Sequence, residues 1–266
     1  MDTLQAIARD SPFLTGVGAS VLAGAGATAL GAVPIAFVSR LSDSFTNLLL
    51  SFAAGVMLAA TMFSLLLPAL DAASIGFGVR TGAVLVVASL AMGGVTLWLT
   101  HRYTPHEHFC KGCEGGEARR FGRIWLFIIA ITIHNFPEGL AVGVGAASGD
   151  LATGLGVTLG IGLQNMPEGL AVAAGLMALG YGRATSFGAA VLSGLVEPVG
   201  GAIGAAAVAL SSALLPWALG FAAGAMLFVI SSEVIPETHR PGFERGATPA
   251  LFAGFCLIVL LTAALR

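Results

Sequence analysis

The chain alternates long apolar runs with short charged or turn-forming stretches. Each run holds about twenty residues and lacks the two-residue alternation of a half-buried strand, so the pattern predicts helices that cross a membrane. A transmembrane β-barrel would instead show alternating segments of about ten residues. We therefore predict an all-α polytopic membrane protein, a single transmembrane domain over 1–266 with a polar loop at 102–123. Its eight spans are predicted near 13–38, 45–69, 81–101, 124–147, 151–178, 185–209, 213–236 and 247–265.

Composition supports a membrane protein and excludes an ordinary soluble one. Hydrophobic residues make up 56% and charged residues 10% of the 266 positions, whereas charged residues are about 25% of soluble domains. The 37 glycines favour closely packed helices, because small residues let helix backbones approach each other in lipid. The net charge of −2 and the lack of a basic run give no reason to expect nucleic acid. The lipid bilayer is the expected environment.

The positive charges predict the orientation of the chain. An even number of spans places both termini on one side of the membrane, and nine of the 12 basic residues fall in the odd-numbered loops or at their edges. Because cytoplasmic loops carry the excess of lysine and arginine, we predict that both termini are extracytoplasmic. The first ten residues lack a basic segment followed by a cleavage site, so we expect no removable signal peptide.

Two near-identical motifs lie thirty residues apart, HNFPEG at 134–139 and QNMPEG at 164–169. Each puts a glutamate into a span, where an ionised carboxylate costs roughly 3 kcal/mol, so a functional site is the first hypothesis. Since the loop at 148–150 is short, the two helices must be antiparallel. The motifs can then face each other, as inverted repeats do near the midplane of many transporters.

Helical geometry places the polar residues of each motif on one side. At about 100° per residue, Glu138 lies between His134 and Asn135 around the helix axis. Proline at positions 137 and 167 also frees a backbone carbonyl, which is tolerated in a membrane where it lines a cavity. Two facing copies predict two adjacent metal sites, one with His134 and Gln164, the other with Asn135 and Asn165, and both bridged by Glu138 and Glu168.

Four further spans carry candidate residues. Glu197 is deep enough in span 6 to join the site, and Glu233 in span 7 could pass ions outward or relay protons. Glu237 and His239 lie at the mouth of that route or are interfacial residues. On composition alone Met57 is more often a core methionine than a thioether ligand, and Cys256 is expected to be a small buried packing residue.

The polar loop at 102–123 carries a second set of metal-binding residue types. Cys110 and Cys113 have the spacing of one half of a zinc knuckle, and His106 and His108 lie just upstream, so a loosely bound cytoplasmic metal is one interpretation. The other interpretation is a flexible solvated loop with two free thiols, because a second CxxC is missing.

Taken together, these motifs resemble the ZIP (Zrt-, Irt-like protein) family of divalent-metal transporters. The resemblance rests on HNFPEG, on QNMPEG, on the EPxG motif at Glu197, on FAAGVML at 52–58 and on EVIPETHR at 233–240. It covers nearly the whole chain and is strongest to the bacterial GufA-like branch. It implies eight helices, extracytoplasmic termini, a histidine-bearing loop after span 3 and a location in the bacterial inner membrane.

The resemblance also implies two ligand sets. The first consists of Met57, His134, Glu138, Gln164 and Glu168, and the second of Asn135, Glu138, Asn165, Glu168 and Glu197. The chain departs from the family pattern at two places, which limits how far the family's ligand sets apply to it. Asn165 stands where close bacterial relatives can carry aspartate, which makes the second site weaker or auxiliary. Gln164 and Gly169 depart from the pattern of many eukaryotic members, so their metal preference is not carried over.

We expect transport of Zn²⁺, or of Cd²⁺, Fe²⁺ or Mn²⁺, toward the cytoplasm. A set of imidazole, carboxylate, amide and thioether ligands suits these ions, whereas Mg²⁺ and Ca²⁺ prefer oxygen cages. The resemblance implies an elevator in which spans 1, 4, 5 and 6 slide against spans 2, 3, 7 and 8. A channel-like path is left open, and a homodimer is retained as one oligomeric state.

Two other classes of function remain open on the sequence. An intramembrane zinc metalloenzyme could use His134 and Glu138, although no His-Glu-x-x-His helix and no clear general base are present. A membrane metal sensor could use the 102–123 loop, in which case deleting that loop should abolish function.

Overall fold

Eight long helices make up the fold in the computed structural model, which describes residues 11–38, 41–104, 106–108, 112–114 and 123–265. A short antiparallel hairpin joins β1 (His106–His108) to β2 (Gly112–Glu114). The helices are α1 (Pro12–Ala36), α2 (Asp43–Phe77), α3 (Val79–Tyr103), α4 (Arg123–Ala147), α5 (Leu151–Ala178), α6 (Arg183–Leu210), α7 (Ser212–Thr238) and α8 (Glu244–Leu265).

Within the described residues, six of these helices are long and apolar enough to cross a membrane, and they are α1, α2, α3, α6, α7 and α8. The other two are α4 and α5. Those two are 25 and 28 residues long, so at 1.5 Å per residue they exceed the roughly 30 Å of a hydrocarbon core. They carry the two polar motifs. The predicted all-α polytopic class is confirmed, and each predicted span overlaps one helix. The inverted-repeat relation stays a prediction.

A tight turn sets α4 antiparallel to α5. Gly149 has a φ of 78°, a conformation that glycine adopts without steric cost. Asp150 then caps α5 by accepting a hydrogen bond from the Thr153 backbone N–H at 3.0 Å, which is the usual role of an N-cap aspartate. With so short a connection, the motif of α4 must face the motif of α5.

Glycine contacts divide the helices into two bundles. We call α1, α4, α5 and α6 the site bundle and α2, α3, α7 and α8 the support bundle. If Gly139 carried a Cβ atom, it would lie 2.1 Å from the Glu197 carbonyl oxygen, and one on Gly31 would lie 2.0 Å from that of Met166. In the support bundle, a Cβ on Gly93 would lie 2.0 Å from the Phe221 carbonyl oxygen. Backbones therefore touch directly inside each bundle.

The contacts between the two bundles differ from the backbone contacts inside each bundle. In the described part of the chain, each glycine whose added Cβ would come within 3.0 Å of another helix backbone meets a helix of its own bundle. Across the boundary, Gly156 of α5 meets the Ser64 side chain at 3.0 Å and Gly160 meets the Ala60 methyl at 3.3 Å. At these glycines the bundles meet through side chains rather than through interlocked backbones, and large apolar residues of both bundles, such as Leu65 and Ile161, lie in one core cluster.

Cys256 departs from its prediction. Its side chain is exposed on the outer surface of α8, not buried in the packing. Only three residues of this helix are buried, and they are Ala247, Gly254 and Ile258. The helix therefore turns a wide apolar face outward, as expected for an outer membrane-spanning helix whose surface meets lipid.

Replacing Gly93 with alanine is expected to destabilise the protein by about 2 kcal/mol, because the new methyl would overlap the α7 backbone. Replacing its neighbour Gly94 is the matched control, since a Cβ there would lie 3.7 Å from the Gly224 carbonyl oxygen. Gly94→Ala should be neutral or stabilising by up to about 1 kcal/mol, owing to helix propensity. Thermal unfolding of the two detergent-solubilised variants tests this, and equal shifts in Tm would contradict it.

Candidate metal site

Three ligand side chains from α4 and α5 converge inside the site bundle. His134, Glu138 and Glu168 each offer a ligand atom, and these atoms all lie within 4.8 Å of one another. The His134 Nε2 atom is 3.6 Å from Glu138 Oε1 and 3.7 Å from Glu168 Oε1. Ligands bound tetrahedrally at about 2.1 Å from one zinc ion are about 3.4 Å apart. The three atoms are therefore spaced for a single ion.

Several buried oxygens around these ligands have no hydrogen-bond partner among the described residues. They are Glu138 Oε2, Gln164 Oε1 and Glu168 Oε1. The Gln164 side-chain amide donates to Glu138 Oε1 at 2.6 Å, so this residue orients one carboxylate oxygen while its own oxygen stays unpaired. An unpaired buried acceptor costs about 1–3 kcal/mol. A cation shared by these oxygens would remove that cost, so the donor set fits a metal ion.

The proline in each motif lies inside its helix rather than at an end. Pro137 and Pro167 lack the N–H that would bond the carbonyl four residues earlier, which frees the carbonyl oxygens of Ile133 and Leu163. Both carbonyls lie next to the first residue of their motif. Each motif thus has a backbone carbonyl oxygen without its helical hydrogen bond next to the ligand side chains.

A second group of polar residues adjoins the first and extends it toward α6. Asn135, Asn165 and Glu197 are 2%, 0% and 0% exposed. The Asn165 side-chain N–H₂ donates to both Glu197 oxygens, at 3.0 and 2.9 Å, and to the Ala23 carbonyl oxygen of α1 at 2.8 Å. The Oδ1 atoms of both asparagines are buried without a hydrogen-bond partner among the described residues. This group is rich in oxygen and contains no nitrogen or sulfur metal ligand.

Glycines of neighbouring helices let Glu197 reach this position. A Cβ on Gly24 of α1 would lie 2.6 Å from Glu197 Oε2, and one on Gly139 of α4 would clash with the backbone of Glu197. Any larger residue at either position would push α6 away. The glutamate and both glycines therefore act as one packing unit.

Met57 is fully buried in the main apolar core, in the cluster that also contains Ile133, the residue before His134. Its Thr61 neighbour hydrogen-bonds back to the Met57 carbonyl oxygen at 2.8 Å. The burial agrees with a core methionine and with a thioether ligand alike, so the ligand role stays a prediction.

Glu233 lies in a π-helical turn of α7 (Ile230–Val234) and pairs with a residue that the sequence reading missed. His101 Nε2 of α3 is 2.6 Å from Glu233 Oε1, and both side chains are 11% exposed. The Glu233 carboxylate also interacts electrostatically with His134. Only the packing of α3 on α7 brings His101 to this place, and no spacing in the sequence signals it.

Glu237 and His239 are not part of the three-ligand cluster. His239 Nδ1 is 3.2 Å from the Ile235 carbonyl oxygen of α7, and His239 Nε2 is 3.3 Å from Thr248 Oγ1 of α8. Glu237 lies one helical turn after Glu233 near the end of α7. In the hairpin of the polar loop, the backbone register pairs His106 with Glu114, Glu107 with Cys113 and His108 with Gly112. Cys110 lies outside the described residues, so the loop metal stays a prediction.

A cavity of about 550 Å³ opens at the end of the molecule that holds the α4–α5 turn. Its lining includes the side chains of Ser64, Asp71, Asp150, Thr153 and Thr262. Two carboxylates at the rim of a cleft attract cations to it.

Comparison with known proteins shows extensive similarity to zinc transporters. Residues 101–262 match the family described as ZIP Zinc transporter. The chain is 48% identical over 247 residues to the zinc transporter GufA of Myxococcus xanthus, covering 92% of this chain and 97% of that protein. It is 49% identical over 254 residues to the zinc transporter ZIPB of Bordetella bronchiseptica, covering 94% and 82%. Human zinc transporter ZIP11 is 44% identical over 153 residues, which is 55% of this chain and 44% of that protein.

Proposed function

Since the chain belongs to the ZIP family of zinc transporters, we propose that it moves Zn²⁺ across a membrane toward the cytoplasm through the cluster of His134, Glu138 and Glu168. The observation that carries this proposal is the spacing of the three ligand atoms, all within 4.8 Å of one another. Transport rather than catalysis follows from the family, and it agrees with the lack of a clear general base in the motifs.

The donor chemistry supports a transition-metal substrate. One imidazole and two carboxylates suit Zn²⁺ and also admit Cd²⁺, Fe²⁺ or Mn²⁺. Gln164 and the buried Met57 complete the proposed ligand set. Mg²⁺ and Ca²⁺ prefer six or more oxygens, so we expect both to compete poorly.

The second group forms an auxiliary site beside the first in this proposal. Asn135, Asn165 and Glu197 would share Glu138 and Glu168 with the transport site and give the binuclear arrangement that the repeated motif predicts. The second site offers only amide and carboxylate oxygens, whereas the first adds the imidazole nitrogen of His134, a ligand that suits Zn²⁺. We therefore assign the transported ion to the first site.

We propose an elevator movement of the site bundle against the support bundle. The support for this movement is that helix backbones touch inside each bundle, whereas at the boundary Gly156 and Gly160 of α5 meet only side chains of the support bundle. Domain movements by shear slide packed helices past one another, and contacts between side chains hinder such sliding less than contacts between backbones. The entire cluster of His134, Glu138 and Glu168 belongs to the moving unit.

The proposed route leads from the cavity with Asp71 and Asp150, through the site, to His101 and Glu233. Glu237 and His239 then lie at its cytoplasmic mouth. This direction rests on the charge distribution that predicts extracytoplasmic termini. The bacterial inner membrane and a homodimer belong to the same proposal.

Uptake of ⁶⁵Zn²⁺ into vesicles that contain the purified protein tests this function. We expect saturable uptake that excess unlabelled Zn²⁺ or Cd²⁺ suppresses and that Mg²⁺ does not. Vesicles without protein are the control for leakage. Saturable zinc uptake without any protein substrate would argue against a metalloenzyme, whereas vesicles no faster than the empty control would overturn the proposal.

Zinc uptake is expected to fall as pH falls from about 7 to about 5. Metal binds only the deprotonated imidazole and carboxylates, so protons compete with Zn²⁺ for His134, Glu138 and Glu168, and binding is lost on the acid side. Initial rates at one free Zn²⁺ concentration, with equal pH inside and outside, measure this dependence without a proton gradient. A rate that rises on acidification would contradict proton competition.

A further inference from the structure

The Asn165 amide nitrogen lies among oxygens of the predicted second site. It lies 2.8 Å from the Ala23 carbonyl oxygen and 2.9 and 3.0 Å from the two Glu197 oxygens. Asn165 and Glu197 are both 0% exposed. If the amide were turned around, Oδ1 would face these three oxygen acceptors, so the N–H₂ points toward them. We call the Ala23 carbonyl oxygen and the two Glu197 oxygens the cradle. A donor group of the protein itself thus neutralises part of the Glu197 charge.

The cradle is fixed by the helices around it. Ala23 lies in a π-helical turn of α1 (Val21–Gly26), and such turns disturb the regular hydrogen bonding of a helix, frequently at functional sites. Gly24 leaves room for the Glu197 side chain, because a Cβ there would lie 2.6 Å from Oε2. Glu197 is therefore packed closely against α1 while its carboxyl group accepts hydrogen bonds from the Asn165 amide.

A second divalent ion would have to displace this amide. Zinc–oxygen bonds are about 2.0–2.2 Å long, so an ion in the cradle would require Asn165 to withdraw its N–H₂ from three acceptors and turn its oxygen inward. Electrostatics opposes the same step. Two dications would bring four positive charges to the three carboxylates of Glu138, Glu168 and Glu197, and excess charge in a buried site is costly.

We propose that Asn165 limits this protein to one divalent ion per transport step, by filling the second site with its own amide group. The inference rests on the proposed transport through His134, Glu138 and Glu168 and replaces the binuclear part of that proposal, because the second group then positions Glu197 and α1 instead of binding a second metal ion. Asn165 is the residue that sets the stoichiometry. Aspartate at this position would lose the two N–H donors, add a fourth carboxylate and open the cradle to an ion.

Equilibrium binding of ⁶⁵Zn²⁺ to the full-length detergent-solubilised protein tests the proposal. To remove binding by the polar loop, all variants carry serine at positions 106, 108, 110 and 113. We expect one zinc ion per chain in this background and two in Asn165→Asp. The matched control is Asn47→Asp, which also replaces a buried asparagine in a membrane span, 4% exposed and outside the site. It should keep one ion per chain.

The outcomes separate this inference from the function on which it rests. Two zinc ions per chain with Asn165 in place would overturn the inference and leave transport standing, and so would one ion in a folded Asn165→Asp variant. The number of zinc ions bound per chain with Asn165 in place tests the proposal even if the Asn165→Asp variant does not fold. If His134→Ala leaves the count unchanged, or if no zinc binds at all, the proposed site fails and the inference fails with it.

Discussion

Glu138→Ala is expected to lower zinc uptake by about 100-fold or more, the largest loss of any single substitution in the site. Loss of an outer partner of a metal ligand already costs about 10–100-fold, and Glu138 is itself a central ligand. Its carboxylate is 3.6 Å from His134 Nε2 and accepts the Gln164 amide at 2.6 Å. Initial rates of ⁶⁵Zn²⁺ uptake into vesicles with equal amounts of inserted protein measure the loss.

Two further variants complete this test, one that removes only the charge of Glu138 and one that is a control outside the site. Glu138→Gln keeps the size of the side chain and loses its charge, so we expect it to be nearly as inactive as the alanine variant. Glu244→Ala removes an exposed carboxylate whose oxygen accepts the Gly242 backbone N–H at 2.9 Å, and it should keep its uptake. Normal uptake by folded Glu138→Ala would exclude the site in α4 and turn attention to the polar loop.

The repeated motif is the part of the site that could be predicted from sequence. Because a helix places residues four apart on one face, His134 and Glu138 had to lie side by side. The short turn at Gly149 then had to bring Glu168 opposite them. These are local rules, and the structure brings the three side chains together accordingly. Whether they bind metal stays a prediction until binding is measured.

The rest depends on contacts between distant parts of the chain. His101 and Glu233 meet because α3 packs on α7, and no pattern in either helix predicts that its residue pairs with the other. The direction of the Asn165 amide depends on the Ala23 carbonyl of a π-helical turn, which no sequence pattern signals. The glycines were correctly predicted to bring helices close. Which helices they join, and hence the two bundles, emerged only from the structure.

A disulfide across the bundle boundary is expected to stop transport, lowering uptake by at least about tenfold, if the bundles slide. Ser64 of α2 and Gly156 of α5 suit this purpose, because a Cβ on Gly156 would lie 3.8 Å from the Ser64 Cβ, the mean separation found in disulfides. The variant carries Ser64→Cys and Gly156→Cys, and serine replaces the three native cysteines. Uptake is measured after oxidation and again after addition of dithiothreitol.

In the proposed mechanism, the disulfide between positions 64 and 156 blocks movement of the bundles but not zinc binding. His134, Glu138 and Glu168 all lie in the site bundle, so the oxidised protein should still bind zinc with unchanged stoichiometry while its uptake is lost. Reduction should restore uptake, and each single-cysteine variant should respond to neither treatment. If the cross-linked protein carried zinc at the rate of the reduced protein, the two bundles would not need to move past each other, and a path through a static site would explain transport better.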